Sequence, residues 1–156
     1  MNIRPAQPGD LEGINSLLLQ VLQVHAELRP DIFIPGTKKY TDEELMGIMQ
    51  NPLTPIFVAE NEAHAVLGYA FCIFKETKGV INMHDRKDLY IDDLCVDEAS
   101  RGSHVASSLC RHVTAFAREQ GCRSVTLNVW KGNTHAENFY DYMGFQPLKT
   151  TMEIRL

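Results

Sequence analysis

At 156 residues, with 44% hydrophobic and 22% charged side chains, the chain is long enough to bury one core and short for two. Its formal net charge of −5 offers no basic footprint, so nucleic acid and anionic membrane surfaces are not expected partners. No run approaches the roughly 20 apolar residues that span a bilayer, and Met1–Pro5 lacks the features of a signal peptide. A single cytoplasmic domain over residues 1–156 is expected.

The first strand centres on Ile3 and stops at Pro5 and Pro8. From Asp10 to Leu28 the apolar residues Leu11, Ile14, Leu18, Val21 and Leu22 recur at helical spacing, which predicts an amphipathic helix closed by Arg29-Pro30-Asp31. Thr41-Asp42-Glu43-Glu44 is a capping box and starts a second helix that ends before Pro52. Ile56–Glu60 and Ala65–Lys75 are β-rich runs joined by a hairpin at Asn61-Glu62.

Leu89–Val96 is a further strand, and Val105, Leu109, Val113 and Phe116 form the buried stripe of a long helix closed by Gly121. Ser124–Val129 is predicted as strand, Thr134–Met143 as helix and Met152–Leu156 as a final strand. The order β-α-α-β-β-β-α-β-α-β predicts an α/β (α+β) fold. Its central sheet is mixed but mostly antiparallel, with helices on both faces and one parallel crossover. A ligand is expected where the two parallel strands diverge.

None of Cys72, Cys95, Cys110 and Cys122 forms a C-x-x-C pair, so reduced thiols are expected. His84, Asp85 and His112 lack a recognised ligand spacing, and no metal site is expected. The most informative stretch is Asp92-Asp93-Leu94-Cys95-Val96-Asp97 running into Arg101-Gly102-Ser103-His104-Val105-Ala106. A strand, a tight loop and a helix start aim free backbone N–H groups and a positive helix end at one point, which suits a phosphate. Strand alternation sets Asp92 beside Tyr90 and Leu94, and Asp93 beside Ile91 and Cys95, so only one acid faces any given site.

Two segments resemble the GNAT family of N-acetyltransferases. Arg101-x-x-His104-x-Ala106 is similar to the family's acyl-CoA loop, and Asn133-x-x-Ala136-x-x-Phe139-Tyr140-x-x-x-Gly144-Phe145 follows Leu127-Asn128-Val129-Trp130 at the family's distance. The resemblance implies a GNAT-like fold and acetyl-CoA as co-substrate. It implies that Arg101, Gly102, Ser103, His104, Val105 and Ala106 hold the pyrophosphate, with Asn133 near the CoA arm. Leu94, Cys95 and Val96 would then line the thioester, a backbone N–H at Cys95 or Val96 donating to the carbonyl oxygen. His104 stands where the family pattern has its first glycine, so its side chain either crowds the phosphates or turns outward.

By the same resemblance Tyr140 is the candidate general acid and Asp92 the candidate base or amine anchor, with Asp93 second. The chemistry needs both roles, because an alkyl ammonium with a pKa of about 10.4 must lose a proton before it attacks. His25, Arg29 and Phe33 are placed in the acceptor pocket. The implied reaction is acetylation of a small primary amine by direct attack. A protein N-terminus or lysine as acceptor, and a non-catalytic acyl-CoA sensor, are the rival readings. Exposed sheet edges would permit a homodimer.

Overall fold

The computed structural model describes residues 1–156. In chain order the elements are β1 (Asn2–Pro5), α1 (Leu11–Leu28), α2 (Asp42–Gln50), β2 (Ile56–Glu60), β3 (Val66–Thr77), β4 (Arg86–Val96), α3 (Val105–Glu119), β5 (Val125–Leu127) and α4 (Thr134–Tyr142). Short 3-10 turns at Pro8–Asp10 and Glu98–Ser100 precede α1 and α3. No helix is long and apolar enough to cross a membrane.

The five strands form one sheet in the order β1-β2-β3-β4-β5, antiparallel except for β4 and β5. The mixed, mostly antiparallel sheet read from the sequence is therefore present. Alternation along β2 divides the core between its two faces. Phe57 and Ala59 pack with Val105, Leu109, Val113 and Ala117 of α3. Ile56 and Val58 pack with Ile14, Leu17 and Leu18 of α1 and Leu45 of α2. Helices cover both faces, and Thr41 and Glu44 make both reciprocal bonds of the capping box at the start of α2.

Gly68 on β3 lets α3 approach the sheet. A Cβ there would lie 2.8 Å from the Cys95 carbonyl oxygen and 3.0 Å from Val105 Cγ1. The start of α3 is thereby seated on β3 beside the end of β4, which sets the position of the loop between β4 and α3.

One predicted element is absent. Residues 146–156 have no regular secondary structure, although Met152, Ile154 and Leu156 alternate as in a strand. Alternation makes a strand only where a neighbouring strand accepts its hydrogen bonds, and no backbone bond reaches this segment. Its tail instead docks through Glu153 to Arg29 at 3.0 Å and through Arg155 to Asp31 at 3.5 Å.

Candidate active site

β4 and β5 pair only through Leu89–Ile91 with Val125–Leu127. Beyond Ile91 the two parallel strands part, and the β5-facing edge of Asp92–Val96 has no strand partner. Asp97 donates its N–H to the Leu67 carbonyl across β3 at 2.9 Å. Successive N–H groups alternate sides, so the Val96 N–H points into the gap and that of Cys95 points to β3. Of these two N–H groups, only that of Val96 is left without a strand partner.

A β-bulge interrupts the ladder here: Phe71 pairs with Asp93 but Cys72 pairs with Ile91, so Asp92 is the extra residue. The bulge overturns the alternation expected for this segment. Ile91 and Leu94 both pack on the α3 face, whereas Cys95 belongs to the α1 face. Asp92 and Asp93 are both turned to the α1 face. Tyr69 donates to Asp93 at 2.8 Å, and Lys39 Nζ lies 2.6 Å from Asp92 Oδ2 with the Tyr40 hydroxyl at 3.4 Å. Two acids that the pleat alone would have separated share one site.

Their surroundings differ. Burial raises the Asp93 carboxyl to about 6, against the hydrogen bond from Tyr69 and the charge of Lys39, which pull it down. Burial pulls the Lys39 ammonium down, but the hydrogen bond and charge of Asp92 outweigh it and hold Lys39 protonated. Tyr40 stacks on Phe71 at 5.9 Å, which fixes the end of the 29–41 loop over the acids. Lys38, pointing the other way, bonds Asp42 and Asn15 and ties the loop to α2 and α1.

Tyr140, on α4, packs edge-on against Phe139 and Phe145. Burial, with the thiol of Cys110 and the charge of Asp93 adding to it, holds its phenol well above the usual value. It stays protonated through neutral pH. Cys95 is buried and its thiol is pushed up to about 12 by that burial, which removes it as a nucleophile.

At the start of α3 the chain reverses through Gly102 at φ +81° and His104 at φ +64°. His104 caps the helix without a side-chain bond and is exposed. Its ring is therefore turned outward, and a left-handed conformation that favours glycine is adopted by a histidine. Backbone N–H groups of Gly102, His104, Val105, Ala106 and Ser107 find no acceptor in the chain. This set, beside the parted strands, fits a pyrophosphate followed by an extended arm. The Arg101 guanidinium pairs with Glu98 at 3.3 Å, and Ser103 Oγ donates to the Ser100 carbonyl. Leu94 packs under the gap on the α3 face.

Asn133 Oδ1 accepts the Ala136 N–H at 3.2 Å and caps α4. Its carbonyl group is thus committed to the helix, and only its amide N–H groups are left for a ligand. At the other side of the mouth His25 packs at a tilt on Phe33 at 5.1 Å, and Phe33 meets Trp130 edge-on at 5.7 Å. Arg29 lies over Trp130 at 5.4 Å and is bonded by Asp31 and Glu153. Its Nε and Nη2 are engaged by these two carboxylates, so it ties the wall of the mouth together. Burial, and after it the charge of Lys39, lower the His25 imidazole below its ordinary value.

Sequence reasoning missed Lys39, Tyr40 and Tyr69, which surround the acids. It also missed Gln20, which bonds Asp97 at 3.0 Å and the Glu98 N–H at 3.1 Å and staples α1 to the loop. No local pattern marks them, since Lys39 and Asp92 are 53 residues apart. A separate open groove of about 410 Å³ between α3 and α4, lined by Arg111, Thr114, Arg118, Tyr142 and Met143, contains neither acid.

Comparison with known proteins gives the family and the fold. The family model described as the acetyltransferase (GNAT) family matches residues 20–145. The thialysine N-epsilon-acetyltransferase of Bos taurus is 26% identical, the match covering 94% of this chain and 84% of that protein. A crystal structure of a mutant BH1408 protein from Bacillus halodurans superposes with a TM-score of 0.95 at 28% identity, covering 100% of this chain and 99% of the other. An aminoglycoside N-acetyltransferase in complex with CoA shares the fold, with a TM-score of 0.72 at 19% identity over 99% of this chain and 98% of its own.

Proposed function

The chain belongs to the GNAT acetyltransferase family and is an acyl-CoA-dependent N-acetyltransferase, and we propose that it acetylates a small molecule bearing a primary alkyl amine. Residues 1–156 act as one catalytic domain in this reading. The observation that carries it is the bulge on β4, which turns Asp92 and Asp93 to one face where an alkylammonium is already bound. That ammonium is the chain's own Lys39. The relatedness to an enzyme named for the ε-amine of thialysine supports an acceptor of the same chemical kind.

Acetyl-CoA supplies the acetyl group as an activated thioester. Gly102, His104, Val105, Ala106 and Ser107 would hold its pyrophosphate by their free N–H groups, and Asn133 would offer its amide N–H groups to the arm. Asp92 anchors the incoming ammonium. Asp93 takes its proton, with Asp92 beside it as the anchor. Asp93, near 6, is matched to receive a proton near neutral pH. The Val96 N–H donates to the thioester carbonyl oxygen as charge grows on it. Tyr140 gives its phenolic proton to the departing thiolate. His25, Phe33 and Trp130 present an aromatic wall to the body of the amine.

The test has two stages. Thermal unfolding is followed with acetyl-CoA, CoA or ATP, where ligand at 100 times its Kd adds about 2.7 kcal/mol. CoA release is then measured with thialysine, lysine, an aminoglycoside and a peptide N-terminus as acceptors. Stabilisation by both CoA species but not by ATP, with release driven by a small amine, is the expected result. Binding of acetyl-CoA with no transfer to any amine would make the protein an acyl-CoA sensor instead.

A further inference from the structure

Lys39 has an unusual place among the chain's lysines. Lys38 pairs with Asp42, Lys131 with Glu137 and Lys78 with Glu76. Lys75 and Lys87 lie over the rings of Tyr90 and Phe74. Only Lys39 contacts the acid pair, at 2.6 Å, in a contact in which its side chain is 46% exposed and that of Asp92 22%. It is a primary alkyl amine on a four-carbon stem, seated on the carboxylate assigned to the acceptor. A nucleophile within hydrogen-bond reach of its base is the first geometric requirement of the reaction.

The 29–41 loop can deliver this residue. It has no regular structure between α1 and Thr41, and includes Pro30, Pro35 and Gly36 at φ +75°. Lys38 holds one side of it to α1 and α2, and stacking of Tyr40 on Phe71 holds the other. Between these two fixed points the chain directs Lys39 to Asp92. An incoming amine must displace it.

We propose that Lys39 is itself an acceptor, acetylated on Nζ in cis by the same site when no amine substrate is present. This rests on the assignment of Asp92 and Asp93 to the acceptor side. The Lys39 ammonium gives one proton to the acid pair, and the freed Nζ lone pair bonds to the thioester carbonyl carbon. The C–S bond breaks, and the CoA thiolate takes the proton of Tyr140. The proton held by the acids returns to Tyr140 through solvent, so the net products are Nζ-acetyl-Lys39, CoA and one released proton from the original ammonium. Acetylation removes the charge that bound Asp92 and leaves that carboxylate to the next amine.

The experiment is incubation of the whole chain with acetyl-CoA and no amine, followed by intact mass and peptide mapping. One acetyl group is expected, at Lys39, added at a rate per molecule that is independent of protein concentration. The Tyr140→Phe variant should acquire it about 10²-fold more slowly, and Lys39→Arg should acquire none at that pace. Equal labelling of Lys39 in wild type and Tyr140→Phe would mark uncatalysed acetylation and overturn the inference. So would a rate that rises with protein concentration. An unlabelled Lys39 in protein that acetylates a small amine would overturn the inference and leave the proposed function standing. No transfer to Lys39 or to any amine, despite acetyl-CoA binding, would overturn both.

Discussion

The hydroxyl of Tyr69, on β3, donates to the carboxylate of Asp93 on the neighbouring strand at 2.8 Å. It is the bond that opposes burial at this acid: desolvation raises the carboxyl, and the phenol draws it back to about 6.

A pH profile follows from that balance. With Asp93 as the proton-holding member of the pair, kcat/KM for the amine should fall as pH drops through about 6. Removing the Tyr69 bond by Tyr69→Phe takes away an interaction that favours the charged acid, so the limb should move to higher pH. Asp93→Asn should abolish the limb, whereas Asp92→Asn should chiefly raise KM. The stability sign is opposite to that of an ordinary salt-bridged acid. Native Asp93 holds its proton more tightly than the unfolded chain, so its contribution is present below the ordinary value of 3.8 and lost as pH rises through about 6.

Tyr140→Phe keeps the ring that packs against Phe139 and Phe145 and removes only the proton. Turnover should drop by about 10²-fold or more, with acetyl-CoA affinity by calorimetry nearly unchanged. Equal turnover would take Tyr140 out of the mechanism.

His104 is a non-glycine residue at φ +64°, in a region that costs L residues roughly 1–2 kcal/mol. His104→Gly removes that strain, and its gain in the folded state is offset by the greater freedom of glycine when unfolded. Urea unfolding should show it within about 0.5 kcal/mol of wild type or above it, while β-branched His104→Val should lose about 1–2 kcal/mol. If the outward ring leaves the phosphate contact intact, the glycine variant should bind CoA at least as tightly.

The far edge of the sheet depends on charge. Arg4 on β1 bonds Asp10 at 2.7 Å before α1 and Glu60 at 2.7 Å on β2, and Asn2 adds a bond to Glu60 at 3.1 Å. The Arg4 guanidinium holds Asp10 below the usual carboxylate range, and with Asn2 and His64 brings Glu60 to about 2. Both acids are depressed on folding, so their stabilisation is present above about 4.5 and lost as pH falls toward 2. Arg4→Met should lower the melting temperature at pH 7 and flatten the acid side of the profile, as followed by circular dichroism. An unchanged acid limb would show that the network contributes nothing to acid stability.

Most of the architecture was legible in the sequence because it is written in local patterns. Helical spacing from Leu11 to Leu22, the capping box at Thr41 and Glu44, the Val105–Val113 stripe and the punctuation by Pro52 and Gly121 each act within a few residues. So does the loop-to-helix start at 101–106 that matches the family's phosphate loop. The final strand at Met152–Leu156 was misread because alternation states only that a segment is able to pair, not that a partner is there.

The sequence by itself determined the fold class and the family, and it nominated the 101–106 loop and Tyr140, since each depends on residue order and short spacing. Only the tertiary structure decided what surrounds Asp92 and Asp93. One extra residue in β4 relative to β3 puts Asp92 and Asp93 on the same face, and pairing register alone turns the Val96 N–H into the gap. Lys39, Tyr40 and Tyr69 reach those acids from elements 24 to 53 residues away. A bulge arises from the mismatch between two strands, and a contact at that separation from the closure of the whole chain. Neither leaves a periodic trace in the residues that make it.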